Sequence, residues 1–210
     1  MKIIGVSVLT ALSRVYGSNG PQITLEIARR AGLDGIQLVP LRAGWTDENL
    51  RALPPEDVIS YEGLWKKFPA NRLLFNKSLI KKFAQYFPEA LTVDLPEGLA
   101  EISPNNPYDQ FFYENNPAGV VFDSWHIKEL KIKNKKEFVN RLIENRRIKL
   151  IHFQTRNKEE LKSFLCGGNP GFEPFIQVVK NTNCPIIIEL PFWWASDYVL
   201  SVIGKRIRNL

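Results

Sequence analysis

A chain of 210 residues, 44% hydrophobic and 11% aromatic, can bury one sizeable core, which excludes a disordered or low-complexity protein. Two cysteines, Cys166 and Cys184, exclude a disulfide framework, and no apolar run approaches the roughly 18 residues of a membrane span; one domain over 1–210 in a reducing cytoplasm is expected. The net charge of +6 lies in one segment, 128–149, where nine Lys or Arg face three Glu.

Residues 2–8 read as a first strand rather than a leader, since no small-residue cleavage site follows. A short amphipathic helix over 23–31 has Pro21 near its start and Gly32 as its stop. Strands at 35–39 and 58–61 flank a weakly helical region, 45–55, that contains a Pro-Pro pair. Residues 76–87 place Leu79, Ile80, Phe83, Ala84 and Phe87 on one helical face, with Asn76 as cap and Pro88 as stop. Strands follow at 90–94 and 119–123. Asn134 and Glu137 form a capping-box pattern ahead of Phe138, Val139, Leu142 and Ile143. A strand at 149–153, a helix at 173–181, a strand at 185–190 and a helix at 196–207 complete the series.

Strand and helix alternate without two-residue hairpin signals, which means a parallel sheet. Seven strands are readable, and the long gap after residue 153 has room for an eighth near Phe172, after Gly167-Gly168-Asn169-Pro170-Gly171. Eight such units close a (β/α)8 TIM barrel. At 210 residues it is small, so some helices must be abbreviated or missing, with 45–55 the first candidate.

Four apolar runs stop at a metal-ligand side chain: Leu91-Thr92-Val93-Asp94, Gly119-Val120-Val121-Phe122-Asp123, Leu150-Ile151-His152 and Ile186-Ile187-Ile188-Glu189. The first two steps between these side chains are 29 residues each and the third is 37. A strand, a crossover helix and two loops need about 30 residues, so all four can converge at one edge of the sheet. Three carboxylates and an imidazole suit a divalent cation such as manganese, zinc, cobalt or magnesium. Read singly, each is a polar residue entering a loop.

The chain resembles the xylose isomerase-like TIM barrels, a superfamily of sugar-phosphate isomerases, sugar epimerases and an apurinic endonuclease branch. Ala31-Gly32-Leu33-Asp34-Gly35-Ile36-Gln37-Leu38 is similar to that family's strand 2. Val120-Val121-Phe122-Asp123-Ser124-Trp125-His126 resembles its strand 5, with a metal-binding Asp and a nearby His. Leu150-Ile151-His152-Phe153 resembles the strand 6 metal histidine, and Ile187-Ile188-Glu189 the final strand's metal glutamate. At the end of strand 4 the family places Glu where this chain has Asp94. Its strand 3 commonly ends in histidines where this chain has Ser60-Tyr61-Glu62. With two histidines in all, the trinuclear zinc cluster of the endonuclease branch cannot be built in its usual form.

The resemblance implies one divalent metal ion held by Asp94, Asp123, His152 and Glu189, with Glu189 and Asp94 as acid/base residues. Substrate binding is expected from His126, Trp125, Trp193, Glu62 and the basic pair Arg156 and Lys158. Tyr61, Trp65, Phe192 and Trp194 are further aromatics beside these positions, and packing accounts for most large aromatics. The implied activity is isomerisation or epimerisation of a small sugar, sugar phosphate or cyclitol through an enediolate-type intermediate. The alternatives are a catalytically degenerate barrel that binds a ligand or partner, and a metal-dependent phosphodiesterase or endonuclease. Segment 128–149 would serve the alternatives as an anion-binding surface for phosphate, nucleic acid or an acidic partner, although its one aromatic, Phe138, falls on the buried stripe, so none is interleaved with the charges as a single-strand binder needs. Loop contacts would decide assembly, a homo-oligomer included.

Overall fold

In the computed structural model, residues 2–10, 19–40, 45–63, 77–106, 108–191 and 193–210 are described. Short apolar runs form eight parallel strands: β1 (Ile4–Ser7), β2 (Gly35–Leu38), β3 (Val58–Glu62), β4 (Leu91–Val93), β5 (Ala100–Glu101), β6 (Val120–Asp123), β7 (Ile148–Gln154) and β8 (Ile186–Glu189). Hydrogen bonding runs β4-β3-β2-β1-β8-β7-β6-β5. A single parallel bridge, Val93 to Leu99, brings the two ends of that order together. The result is a nearly closed (β/α)8 barrel.

Helices cover its outside: α1 (Gly20–Arg30), α2 (Asp47–Arg51), α3 (Lys77–Tyr86), α4 (Gln110–Asn115), α5 (His126–Glu129), α6 (Lys135–Glu144), α7 (Lys158–Leu165), α8 (Glu173–Asn181) and α9 (Asp197–Arg208). Local chemistry sets their ends. Gly32, at φ +70°, stops α1 in the left-handed region where glycine is unstrained. The Asn134 side chain accepts from Glu137 N while its amide donates to the Glu137 carboxylate, which starts α6. The expected abbreviation at 45–55 is α2, five residues long and followed by one 3-10 turn, Pro55–Asp57. The expected Asn76 cap lies outside the described residues.

One expectation is corrected. The eighth strand is β5, not a segment near Phe172. Phe172 precedes α8, and its ring stacks on Phe153 (5.0 Å between centroids) and meets Phe164 (4.9 Å), inside the layer between strands and helices. The real eighth strand is two residues long and follows β4 with no helix between. A left-handed Asp94 (φ 51°) and Glu97 (φ 65°) turn that connection back on itself within six residues. The strands carrying Asp123, His152 and Glu189 are therefore the sixth, seventh and eighth, and the seventh runs two residues past His152 to Gln154.

Two layers of side chains fill the barrel. Successive residues alternate between the outer helix-facing core and the interior. Leu91, Val93, Leu99, Val121, Leu150 and Ile187, with Ile59, form a small apolar cluster of their own. Ile59 is the extra residue of a bulge, since Ile36 pairs with Val58 and Gln37 with Ser60. Its side chain lies against Gly5 and Gly35, where any Cβ would collide: one at Gly5 would sit 2.6 Å from Ile59 Cδ1. This cluster is the floor on which the next interior layer stands.

Candidate metal centre

The layer above the floor is polar. Gln37 (β2), Ser60 and Glu62 (β3), Glu101 (β5), Asp123 (β6), His152 (β7) and Glu189 (β8) are all buried. Two trios bring their ligand atoms within 4.8 Å of one another: Glu101, Asp123 and His152, and Glu62, His152 and Glu189. Two atoms that share one ion at about 2.1 Å lie at most about 4.2 Å apart, so little movement separates these donors from coordination.

His152 sits at the centre. Its Nε2 faces Gln37 Oε1 at 3.1 Å. Its Nδ1 has no hydrogen-bond partner and lies 3.7 Å from both Glu101 Oε1 and Glu189 Oε2. Asp123 Oδ1 accepts from the backbone N–H groups of Trp125 and His126, each at 2.7 Å, at the start of α5. Asp123 Oδ2 is buried without a hydrogen-bond partner. Glu189 Oε1 accepts from Gln37 Nε2 at 3.0 Å.

Buried carboxylates without a cation are costly in their charged form. Burial, aided by the charge of Glu189, raises the Glu62 acid well above the usual range. Burial likewise raises Glu101 to about 7 and pushes Asp123 and Asp94 up. For His152, burial pulls the other way, but the charges of Glu189, Glu101 and Glu62 overcome it and push the imidazole up to about 10. The ion pairs of these carboxylates, among the described residues, are with histidine alone. A set of hard oxygens and one imidazole nitrogen, two of its atoms orphaned and buried, fits a divalent cation.

Of the four ligands expected, Asp123, His152 and Glu189 share this layer. Asp94 stands beside it: its Oδ1 accepts from Glu101 N at 3.0 Å, and it belongs to neither trio. Glu101, whose backbone N–H it accepts from, belongs to the first trio. His126 is buried, with Nδ1 3.2 Å from Glu129 Oε2 and Nε2 3.9 Å from Glu101 Oε1. Trp125 has a buried indole N–H without a hydrogen-bond partner. Glu62 Oε1 accepts from Gln37 Nε2 at 2.7 Å. Arg156, on the turn after β7, and Lys158, the first residue of α7, are exposed, and Trp193 is 67% exposed after β8. Tyr61 and Trp194 pack in the outer core, and Trp65 and Phe192 lie outside the described residues.

Sequence reasoning missed Glu101, Gln37 and Ser60. Glu101 follows no long apolar run, whereas Gln37 could have been found as a polar residue two positions after an interior glycine in a buried strand. In the basic segment, Lys128 pairs with Glu160 at 2.6 Å and lies over the Phe172 ring. Arg141 is forked between Glu114 and Glu137. No helix among the described residues is long and apolar enough to cross a membrane.

No family model and no curated protein matches the chain. Among solved structures it is similar to D-allulose 3-epimerase from a Methylomonas species in complex with D-allulose. That likeness has a TM-score of 0.56 at 13% identity, over 99% of this chain and 96% of the epimerase. It is also similar to a protein from Parabacteroides distasonis, with a TM-score of 0.50 at 12% identity, over 99% and 98% of the two chains. At such identity the likeness is one of fold.

Proposed function

We propose that the chain is a divalent-metal-dependent isomerase or epimerase of a small sugar, sugar phosphate or cyclitol. The observation that carries this reading is the pair of orphaned atoms, Asp123 Oδ2 and His152 Nδ1, among buried carboxylates at the C-terminal mouth of the barrel. Glu101, Asp123, His152 and Glu189 would hold the ion, whether manganese, zinc, cobalt or magnesium. The ion, when bound, supplies positive charge that offsets the carboxylates and stabilises negative charge on the substrate oxygens as the proton beside the carbonyl leaves.

Glu189 takes that proton on its carboxylate, which Gln37 holds in place through Oε1. Glu101 returns a proton, to the same carbon in an epimerisation or to its neighbour in an isomerisation. His126 presents Nε2 toward a substrate oxygen while Glu129 holds its other nitrogen. Asp94 fixes the backbone that carries Glu101.

The test is solvent-deuterium exchange, followed by NMR, into D-allulose, D-fructose and their phosphates with manganese added. Incorporation beside the carbonyl that Asp123→Asn and Glu189→Gln both abolish is the expected result. Calorimetry that finds no divalent ion bound near neutral pH would sink the reading.

A further inference from the structure

The neutral residue in the middle of the charged cluster has every hydrogen-bonding position filled. A side-chain amide offers two acceptor lone pairs and two donor hydrogens. In Gln37, Oε1 accepts from Ser60 Oγ at 2.7 Å and faces His152 Nε2 at 3.1 Å. Its Nε2 donates to Glu62 Oε1 at 2.7 Å and to Glu189 Oε1 at 3.0 Å. The orientation is not arbitrary, because exchanging the amide's O and N would turn the NH2 toward the Ser60 hydroxyl and the carbonyl oxygen toward two carboxylates. One planar group thus ties β2 to β3, β7 and β8 at a single level of the barrel.

Two consequences follow for the groups it touches. With an acceptor against Nε2, that nitrogen of His152 carries the hydrogen, and Nδ1 is the nitrogen directed at Glu101 and Glu189. The shared NH2 group also holds one oxygen of Glu62 and one of Glu189, which sets the rotation of both carboxylates. We propose that Gln37 is the positioning residue of this centre, selecting Nδ1 of His152 as the metal-facing nitrogen and fixing the Glu189 carboxylate beside it. The inference rests on the reading of the cluster as a cation site, and it adds a residue that neither binds the ion nor touches the substrate.

Manganese binding to the chelator-treated full-length protein, measured by calorimetry, tests it against Gln37→Met, Gln37→Glu and Ser60→Ala. Loss of an orienting partner typically lowers metal affinity about 10–100-fold, and Gln37→Met is expected to fall in that range. Ser60→Ala removes only the brace behind Oε1 and is expected to weaken binding by a smaller factor in the same direction. A readout that general loosening would not reproduce is the nitrogen-15 spectrum of His152 in the zinc-loaded protein. Wild type and Gln37→Glu, which both keep the acceptor, should show a protonated Nε2 and a metal-bound Nδ1, and Gln37→Met should lose that single pattern.

Manganese binding by Gln37→Met at wild-type affinity, with the wild-type spectrum, would overturn the role of Gln37 while leaving the cation site standing. A wild-type protein that binds no divalent ion would overturn both. If Gln37→Met does not fold, unchanged affinity in Ser60→Ala together with an altered His152 pattern in Gln37→Glu would overturn the inference.

Discussion

Glu101→Gln should stabilise the metal-free protein, and by an amount that depends on pH. Burial raises the folded-state acid from 4.5 to about 7, a value that already includes its attraction to His152. A group raised on folding contributes stability in full below its unfolded value and loses it as pH climbs through the folded one. Between pH 4.5 and 7 the unfolded chain releases a proton that the folded chain retains, so the native state is progressively penalised. The whole shift corresponds to about 3 kcal/mol. Glutamine has the same shape and no proton to lose. Its advantage over glutamate should be below about 1 kcal/mol at pH 5 and about 3 kcal/mol at pH 8, or roughly 6–12 °C in Tm at this chain length. Urea unfolding in EDTA at the two pH values measures it directly. An advantage equal at both, or a wild-type protein more stable than Glu101→Gln at pH 8, would refute the picture of an unneutralised carboxylate.

Manganese at a free concentration 100-fold above its Kd should add about 2.7 kcal/mol of stability. At one fixed manganese concentration the rise in Tm should be larger at pH 8 than at pH 5, because the ion competes with the proton on Glu101 and its Kd is weaker at the lower pH. Asp94→Asn keeps both the acceptor for Glu101 N and a side chain that tolerates φ 51°, and calorimetry should find its manganese affinity close to wild type. Asp94→Ala drops the Glu101 amide and should lose about 10-fold or more; equal losses in the two would make Asp94 a ligand. Gly35→Ala drives a Cβ into the carbonyl oxygen of Asp57 and should destabilise by about 1–3 kcal/mol, read by thermal melting.

The barrel was legible in the sequence because seven of its strands are apolar runs framed by helical patterns, and so were the three polar side chains carried at the C-terminal parts of the sixth, seventh and eighth strands. Glu101 was hidden by its surroundings. Its strand is two residues long, held by pairs from Ala100 to Val120 and from Glu101 to Val121. The preceding Pro96-Glu97-Gly98 reads as loop. Asp94 masked it further, since it too ends an apolar run and lies 29 residues before Asp123, the length of an ordinary βα unit. The spacing was right for the wrong reason: β4 and β5 are joined without a helix, so one unit's length spans the turn, β5 and α4 together. Phe172 misled in the opposite sense, since an aromatic residue after a glycine-rich loop suits a strand start and a helix-layer plug equally well. Gln37 is neutral, and a search for metal-ligand side chains passes over it.

The energetics of Glu101 bear on whether the site is in use. Native domains are stable by about 5–15 kcal/mol, so a single carboxylate that costs about 3 kcal/mol near pH 8 is a large fraction of the total. Glu62 and Asp123 are raised for the same reason, burial first, and a glutamine or asparagine at any of these positions would relieve it. Among the described residues, the packing of the barrel gives no reason for charge there. The apolar floor beneath is complete with Ile59 against two glycines, and the outer core is closed by the helices. A barrel that had become only a scaffold would lose stability by keeping these carboxylates and gain it by neutralising them. A centre that binds a divalent ion recovers the loss on binding, when the ion displaces the protons that the buried carboxyls retain. The arrangement around Gln37 follows the same logic, because a neutral amide orients three charged neighbours without adding a charge of its own.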